Sequence, residues 1–115
     1  MAEVCKVYER HSEKIARVKS TLPSDDVIRE LANFFNAMGN PTRLKILLAL
    51  LSEELCTCDL MGVTNLSVSA ISHQLRILKD RKIVKYRREG RNVYYSLEDE
   101  HIKQILRIGL AHIKE

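Results

Sequence analysis

The segment from residue 56 to residue 81 constrains the fold of this 115-residue chain more than any other. Cys56–Met61 has the length and composition of a short helix, and Gly62-Val63-Thr64-Asn65 supplies the residues of a turn. From Ser67 to Arg81 the apolar residues recur every three or four positions, which predicts a longer amphipathic helix. A short helix, a glycine-containing turn and a second amphipathic helix are the parts of a helix-turn-helix.

Helices are also predicted before this motif. Residues 1–22 are polar and charged, with loosely spaced apolar residues, and predict an arm that runs into a short helix. Ser24-Asp25-Asp26 begins the next helix. Gly39-Asn40-Pro41 ends it and begins another helix, which is apolar on most sides and is therefore expected at the centre of the core.

A β-hairpin and a last helix are predicted after the motif. Two runs of β-forming residues, Val84–Arg88 and Asn92–Leu97, flank Glu89-Gly90-Arg91, and the helical pattern resumes at Glu98. We therefore predict a mainly α-helical winged helix-turn-helix with one β-hairpin. Residues 23–115 are expected to form this domain, with the C-terminal helix as its dimerisation element.

Composition narrows the cellular setting. Hydrophobic residues make up 45% of the chain and charged residues 30%, which is typical of a globular domain. The sequence contains no apolar run near eighteen residues and no signal-peptide pattern, so we expect a cytoplasmic protein without a membrane partner. Two of the three cysteines form Cys56-x-Cys58, and in a reducing compartment this favours thiolate chemistry over disulfides.

Positive charge is concentrated between His73 and Val93. Eight Lys and Arg residues in this stretch face only two acidic residues, a net charge of +6, while the whole chain carries +4. The stretch covers the second half of the amphipathic helix and the hairpin, the two elements that contact DNA in a winged helix-turn-helix. The alternative is a solvated basic face. Agreement between charge and architecture favours double-stranded DNA as the partner.

Eight residues are the candidates for DNA contact. The amphipathic helix from Ser67 to Arg81 is the recognition helix of the motif. Its side chains that can hydrogen-bond base edges or phosphates are Ser69, Ser72, His73, Gln74 and Arg76. In the hairpin, phosphate contact is predicted for Arg87, Arg88 and Arg91. His73 has polar neighbours, so a hydrogen-bonding surface residue is a better interpretation of it than a metal ligand.

Four residues of the types that bind metals occur in the predicted C-terminal helix, as Asp99-x-His101 and His112-x-x-Glu115. The two histidines are eleven residues apart, so they share a face but lie about 16 Å apart along the axis. One zinc ion cannot bind both of them. Two antiparallel copies of the helix bring the pairs together, so the pattern predicts a symmetric homodimer with two equivalent sites.

The donor chemistry of these four residues suits zinc, since two oxygens and two nitrogens make a tetrahedral set. Asp99 and His101 point in different directions on a regular helix, so Asp99 must lie at the helix cap. The alternative is that Asp99 is simply an N-cap and that the histidines are solvated or packed.

The sequence resembles the ArsR/SmtB family of bacterial metal-sensing repressors, especially its zinc- and cadmium-responsive SmtB-like and CadC-like branch. The resemblance covers about residues 27–115, and its motifs are Asn40–Leu47 (NPTRLKIL), Leu55–Leu60 (LCTCDL), Ser69–Leu75 (SAISHQL) and Arg88–Leu97 (REGRNVYYSL). It implies an apo homodimer bound to a palindromic operator. It also implies that Zn(II), Cd(II) or Pb(II) releases the DNA and so derepresses genes of metal efflux or sequestration.

A second metal site involves Cys56 and Cys58, whose thiolates a helix N-terminus would stabilise. Cys5 is the third thiol, and the resemblance implies that the N-terminal arm brings it to the partner protomer. Glu9 stands where the CadC-like pattern has a further cysteine. The fourth ligand is then Glu9, His11 or water, and we prefer His11 because nitrogen suits a zinc or cadmium thiolate site better than a carboxylate does. The metal expected at this site is Zn(II), Cd(II) or Pb(II). Alternatively, Cys56 and Cys58 are small buried residues and Cys5 is a free thiol.

Two other functions compete with a metal-responsive repressor. A repressor of the same fold that senses thiol oxidation or arsenite through cysteines alone would leave the C-terminal pattern unused. A metallohydrolase is the weaker rival, because open catalytic sites come with a general base in a pocket, and this small basic chain suggests none. We therefore expect the protein not to be an enzyme.

Overall fold

A computed structural model describes residues 8–115, with side chains from His11 onward. The described chain forms six helices and three strands: α1 (Tyr8–Thr21), α2 (Asp25–Met38), α3 (Pro41–Ser52), β1 (Leu55–Cys56), α4 (Thr57–Thr64), α5 (Val68–Asp80), β2 (Val84–Glu89), β3 (Asn92–Leu97) and α6 (Glu100–Lys114). The described chain comprises two compact units, and the boundary between them lies within α2, between Ala32 and Asn33. The predicted boundary at residue 22 stays a prediction.

Side chains at the predicted positions begin three of the helices. The Ser24 hydroxyl accepts a hydrogen bond from the Val27 N–H at 3.3 Å, at the start of α2. Asn40 accepts from the Arg43 N–H at 3.1 Å and precedes Pro41, the first residue of α3. Ser67 caps α5 in the same manner. Local capping therefore confirms the predicted helix starts.

The turn of the helix-turn-helix lies later than predicted. α4 continues through Gly62 to Thr64, and the helix ends at Asn65, whose φ is 59°. Its N–H donates to the Met61 carbonyl at 2.8 Å, which satisfies one of the last carbonyls of the helix. Asparagine tolerates the left-handed conformation, so it ends the helix, while Gly62 is accommodated as an exposed helical residue.

The wing is a three-stranded antiparallel sheet in the order β1-β3-β2. The hairpin of β2 and β3 confirms the prediction, with Val84 paired to Leu97 and Glu89 to Asn92. Gly90, the first loop residue, has φ +64°, a conformation that favours glycine. β1 was not predicted, because residues 55–56 are too short to show a period. It pairs with the middle of β3.

The core of the second unit confirms the central position of α3. Ile46, Leu47 and Leu50 of α3 are buried, as are Ile71, Leu75 and Leu78 of α5 and Ile102 and Leu106 of α6. The wing contributes Val84 and Leu97, which pair with each other at the base of its hairpin. This arrangement confirms the predicted winged helix-turn-helix. No helix within residues 8–115 has the length and apolar character needed to cross a membrane.

Candidate nucleic-acid interface and metal sites

The recognition helix α5 divides cleanly into a core face and an exposed face. Ser69, Ser72, His73 and Arg76 are exposed, while the apolar residues on the opposite side are buried. Ser67 caps the N-terminal turn, which carries the small side chains of Ser69 and Ala70. Four of the five residues predicted on this helix are therefore accessible to a ligand.

A small polar cleft of about 170 Å³ lies between α5 and β3, and its lining includes Ser72, Arg76, Lys79 and Tyr95. The Lys79 ammonium lies 5.1 Å from the ring centroid of Tyr86, which joins the helix to the wing. Two cations and two side chains with hydroxyl groups around a polar cleft suit a phosphate oxygen. Lys79 and Tyr95 were not among the predicted contact residues, although Lys79 follows Ser72 and Arg76 at helical spacing.

Gln74 differs from the other predicted residues of α5, because it is half-buried and already has a partner. Its Oε1 atom accepts a hydrogen bond from Arg43 Nη1 at 3.1 Å. Arg43 also donates from Nε to the Ala37 carbonyl at 2.6 Å. These bonds connect α2, α3 and α5. Contact between Gln74 and DNA stays a prediction.

The strands of the wing sort its arginines onto two faces, because side chains alternate along a strand. Arg88 shares a face with Tyr86, and its guanidinium carbon lies 5.9 Å from that ring centroid. Tyr86 also contacts the α5 residue Lys79, so this face adjoins the recognition helix. Arg91 is exposed in the two-residue loop at the tip. Arg88 and Arg91 are therefore both accessible to a phosphate.

Arg87 lies on the other face of the wing and is held by two carboxylates. Its Nη2 and Nε atoms donate to Glu54 at 2.7 Å and 3.0 Å, and Nη1 donates to Glu89. The guanidinium also stacks over Tyr94, 4.7 Å from the ring centroid. The hydrogen bonds from Arg87 lower the pKa of Glu54 despite its partial desolvation, and the positive charges of Arg87 and Lys85 lower it further.

The first pair of predicted zinc ligands lies at the start of α6. Asp99 is the N-cap, with extended backbone, and its Oδ1 atom accepts from the N–H groups of His101 at 3.0 Å and Ile102 at 3.3 Å. The same oxygen lies 3.3 Å from His101 Nδ1. The cap position thus brings together two side chains that a regular helix would separate, as predicted.

Asp99 is held in its ionised form. Partial desolvation alone raises its pKa, but the hydrogen bond from the Ile102 N–H and the interactions with His101 together lower it below the ordinary value. All of its hydrogen bonds use Oδ1, and Oδ2 has no hydrogen-bond partner among the described residues. An ionised carboxylate with an available oxygen fits a zinc ligand.

The second pair lies at the other end of α6, where His112 Nδ1 is 3.6 Å from Glu115 Oε2. At about 100° per residue, His101, Ile108 and His112 fall within an arc of about 40° on one face. Side chains of both histidines and of Ile108 are largely exposed. Within residues 11–115 of one protomer, no three His, Cys, Asp or Glu residues cluster closely enough to hold a metal ion. The four residues therefore form two separate pairs, one at each end of α6, and their role as zinc ligands stays a prediction.

Cys56 and Cys58 lie at the N-terminus of α4, as predicted. Cys56 is the half-buried N-cap and Cys58 is exposed. The Cys56 N–H donates to Asp59 Oδ2 at 3.1 Å, and this bond is the main cause of the lowered pKa of Asp59. Cys5 and the side chain of Glu9 lie outside the described residues, and His11 is half-buried in the first unit. The ligand set of the thiolate site stays a prediction.

Comparison with known proteins agrees with the fold. Residues 40–86 match the family described as bacterial regulatory protein, arsR family. The chain is 46% identical to a transcriptional repressor SmtB homolog from Synechocystis sp., over 91% of this chain and 80% of that protein. It is 40% identical to a cadmium resistance transcriptional regulatory protein CadC homolog from Staphylococcus aureus, over 98% and 93% respectively.

A solved structure extends the comparison to three dimensions. The homodimeric winged helix-turn-helix DNA-binding domain of a possible ArsR-family transcriptional regulator from Mycobacterium bovis superimposes with a TM-score of 0.75. The two are 26% identical, and the alignment covers 83% of this chain and 91% of that chain. These relatives are transcriptional regulators, which confirms that the protein is not an enzyme. The chain belongs to the ArsR family of bacterial regulatory proteins, as a DNA-binding transcriptional regulator of the SmtB and CadC type.

Proposed function

We propose that the protein is a metal-responsive repressor that binds a palindromic operator as an apo homodimer and leaves it when Zn(II), Cd(II) or Pb(II) binds. The observation that carries the proposal is the pair of half-sites at opposite ends of α6, each with one exposed histidine and one carboxylate. Two antiparallel α6 helices complete two tetrahedral sites, each with Asp99 and His101 from one protomer and His112 and Glu115 from its partner.

Three further observations support the proposed dimer and its function. Ile108 lies between the two histidines on the same face and is 70% exposed, which suits burial against a second copy. The Mycobacterium bovis domain is homodimeric. The relatives in Synechocystis and Staphylococcus are described as a repressor and as a cadmium resistance regulator. We extend repression and the response to metal to this chain. The protein then acts in the cytoplasm on genes of metal efflux or sequestration.

The dimer couples metal binding to DNA binding through the spacing of its two recognition helices. A palindromic site requires these helices about one turn of DNA apart, roughly 34–36 Å. When bound, zinc draws carboxylate and imidazole donors of the two protomers into one coordination shell. His101 and His112 then set the relative orientation of the two α6 helices, and any orientation that changes the spacing weakens DNA binding. The coupling is reciprocal, so DNA also weakens metal binding.

A second metal site at Cys56 and Cys58, completed by Cys5 and His11, is part of the proposal. Its position supports a role, since Cys56 belongs to β1 and pairs with the wing strand β3. Soft ions such as Cd(II) and Pb(II) suit this thiolate set, and Zn(II) suits both sites. The alternative function is a repressor of the same fold that senses thiol oxidation or arsenite through its cysteines alone, with the C-terminal pairs unused.

The test measures DNA affinity with and without Zn(II) or Cd(II) at fixed salt. The probe is a duplex that the wild-type protein selects from a random-sequence library. His101→Ala is expected to abolish release by zinc, and Cys56→Ser to weaken release by cadmium. Arg107→Gln, an exposed change on another face of the same helix, is the matched control and should respond as wild type. An unchanged response in both test variants would overturn the metal-sensing mechanism, while loss in Cys56→Ser alone would favour the cysteine-only alternative.

A further inference from the structure

The Arg87 side chain is half exposed, but all three of its guanidinium nitrogens already donate to carboxylates. Its Nε and Nη2 atoms donate to Glu54, its Nη1 atom donates to Glu89, and one face of the guanidinium covers the Tyr94 ring. The two carboxylates offset the positive charges of Arg87 and Lys85, so this point of the wing has no net positive charge. A DNA phosphate would have to displace both carboxylates and would meet their repulsion.

Arg88 and Arg91 differ from Arg87 in their position on the wing and in having no carboxylate partner among the described residues. Arg88 lies on the opposite face of β2, the one that adjoins α5 through Tyr86 and Lys79. Arg91 is exposed at the hairpin loop. Neither forms an ion pair with any side chain in the described part of the chain. The wing therefore retains two cations outside ion pairs, Arg88 on the face toward α5 and Arg91 at the tip.

The interactions of Arg87 connect three strands of the sheet. Arg87 in β2 is paired with Tyr94 in β3, and Tyr94 is paired with Cys56 in β1. Glu54 immediately precedes β1, so the ion pair spans the whole width of the sheet. A bidentate guanidinium–carboxylate pair fixes both distance and orientation, more than a single point charge would.

We propose that Arg87 positions the wing by locking β2 to the start of β1 through Glu54, and that the wing contacts DNA phosphates through Arg88 and Arg91 instead. The two-residue strand β1 is held to β3 over only two residue pairs, so the ion pair adds a third attachment at the edge of the sheet. Loss of Glu54 therefore weakens DNA binding, although it removes a negative charge.

The test is a double-mutant cycle on duplex affinity, measured as a function of salt with metal-free dimer and the library-selected duplex. Arg87→Gln and Glu54→Gln are each expected to lower the affinity by about two- to five-fold per protomer, and the double variant no further. Arg87→Lys, which keeps the charge and loses the bidentate geometry, should not rescue binding. In all of these variants the dependence of log affinity on log salt should keep its wild-type slope.

Two matched variants give the comparison. Arg88→Gln is expected to reduce the salt slope by about 0.9 for each phosphate that it no longer neutralises. Glu53→Gln makes the same change of charge as Glu54→Gln at a neighbouring carboxylate that forms no ion pair within the described residues, and it should not lower the affinity. Urea unfolding midpoints establish that the variants compared are equally folded, and the conservative Glu54→Gln carries the test if Arg87→Gln is unstable.

The opposite pattern would overturn the inference. If Arg87 binds a phosphate, Glu54→Gln releases it and strengthens binding, Arg87→Lys retains the affinity, and Arg87→Gln reduces the salt slope. The inference rests on the DNA-binding part of the proposed function, and the wild-type protein separates the two failures. A wild-type dimer that selects no duplex refutes the proposed function, whereas normal selection with the pattern above refutes only the role of Arg87.

Discussion

Several polar side chains that the sequence marks as ligands also have a structural task. Asp99 caps α6 with the same oxygen that faces His101, and Gln74 holds Arg43 at the junction of three helices. A side chain with two tasks responds differently to different substitutions, because one replacement can preserve the first task and remove the second. Such replacements separate a metal ligand from a residue that only supports the fold.

Asp99→Ser is the replacement that separates the two tasks of Asp99. Serine is a good N-cap, so the urea unfolding midpoint of the apo-protein should stay near wild type, whereas Asp99→Ala should lower it. Both variants lose the carboxylate and should bind zinc more than about tenfold more weakly. Zinc affinity is measured by competition with a chromophoric chelator. Wild-type affinity in Asp99→Ser would show that Asp99 only caps the helix.

At the scale of elements, residues with positive φ decide where the helices of the DNA-binding motif end. Asn65 ends α4, and Lys82, with φ 56°, follows α5. The Ile83 N–H donates to the Leu78 carbonyl and the Lys82 N–H to the Lys79 carbonyl, both at 2.9 Å, which is a Schellman motif. Ile83 and Leu78 are fully buried, so this ending sets the direction in which the chain enters the wing.

Lys82→Gly is expected to stabilise the protein, because a lysine in the left-handed conformation is strained and glycine is not. The relief exceeds the added entropy of the unfolded chain, and we expect the free energy of unfolding to rise by about 0.5–1 kcal/mol. Urea unfolding measures it. Arg81→Gly, one residue earlier with φ −93°, is the control and should destabilise. A loss of stability in Lys82→Gly would mean that the lysine side chain itself stabilises this corner.

At the scale of the whole molecule, one side of the second unit carries apolar surface that a single chain does not bury. A groove of about 380 Å³ between α2, α3 and α6 is lined almost entirely by apolar residues, among them Phe35, Leu48 and Leu110. Ile108 and Ile113 of α6 are 70% and 79% exposed. Exposed apolar surface next to the two proposed zinc half-sites supports the proposed dimer, because the dimer places the apolar surface and the half-sites on one interface.

Ile108→Glu is expected to break the dimer, because two copies of the new carboxylate would be buried near each other across the two-fold axis. Sedimentation equilibrium should then report the mass of one chain, and both duplex affinity and tight zinc binding should be lost together. Arg107→Gln makes the same change of net charge on another face of α6 and should remain dimeric. A dimeric Ile108→Glu protein would place the interface elsewhere and remove the basis of the shared zinc sites.

Local patterns in the sequence determined most of the fold and the candidate ligands. Helix starts at Ser24, Asn40 and Ser67 follow from caps within four residues, and the hairpin follows from alternation around Gly90. The spacing of donors in α6 was sufficient to indicate that one chain cannot complete the site. All of these features depend on interactions between residues close together in the chain, so their signals are visible in it.

Only the tertiary structure decided which polar residues are free and where short elements pair. The bond between Arg43 and Gln74 spans 31 residues and the one between Arg87 and Glu54 spans 33, so no local pattern distinguishes Arg87 from Arg88. The strand β1 exists only because β3 offers it an edge. The sequence by itself determined that a basic winged helix-turn-helix forms with ligand pairs at both ends of its last helix. Packing between distant segments determined which of its charges remain available, because a charge is free only when no distant partner reaches it.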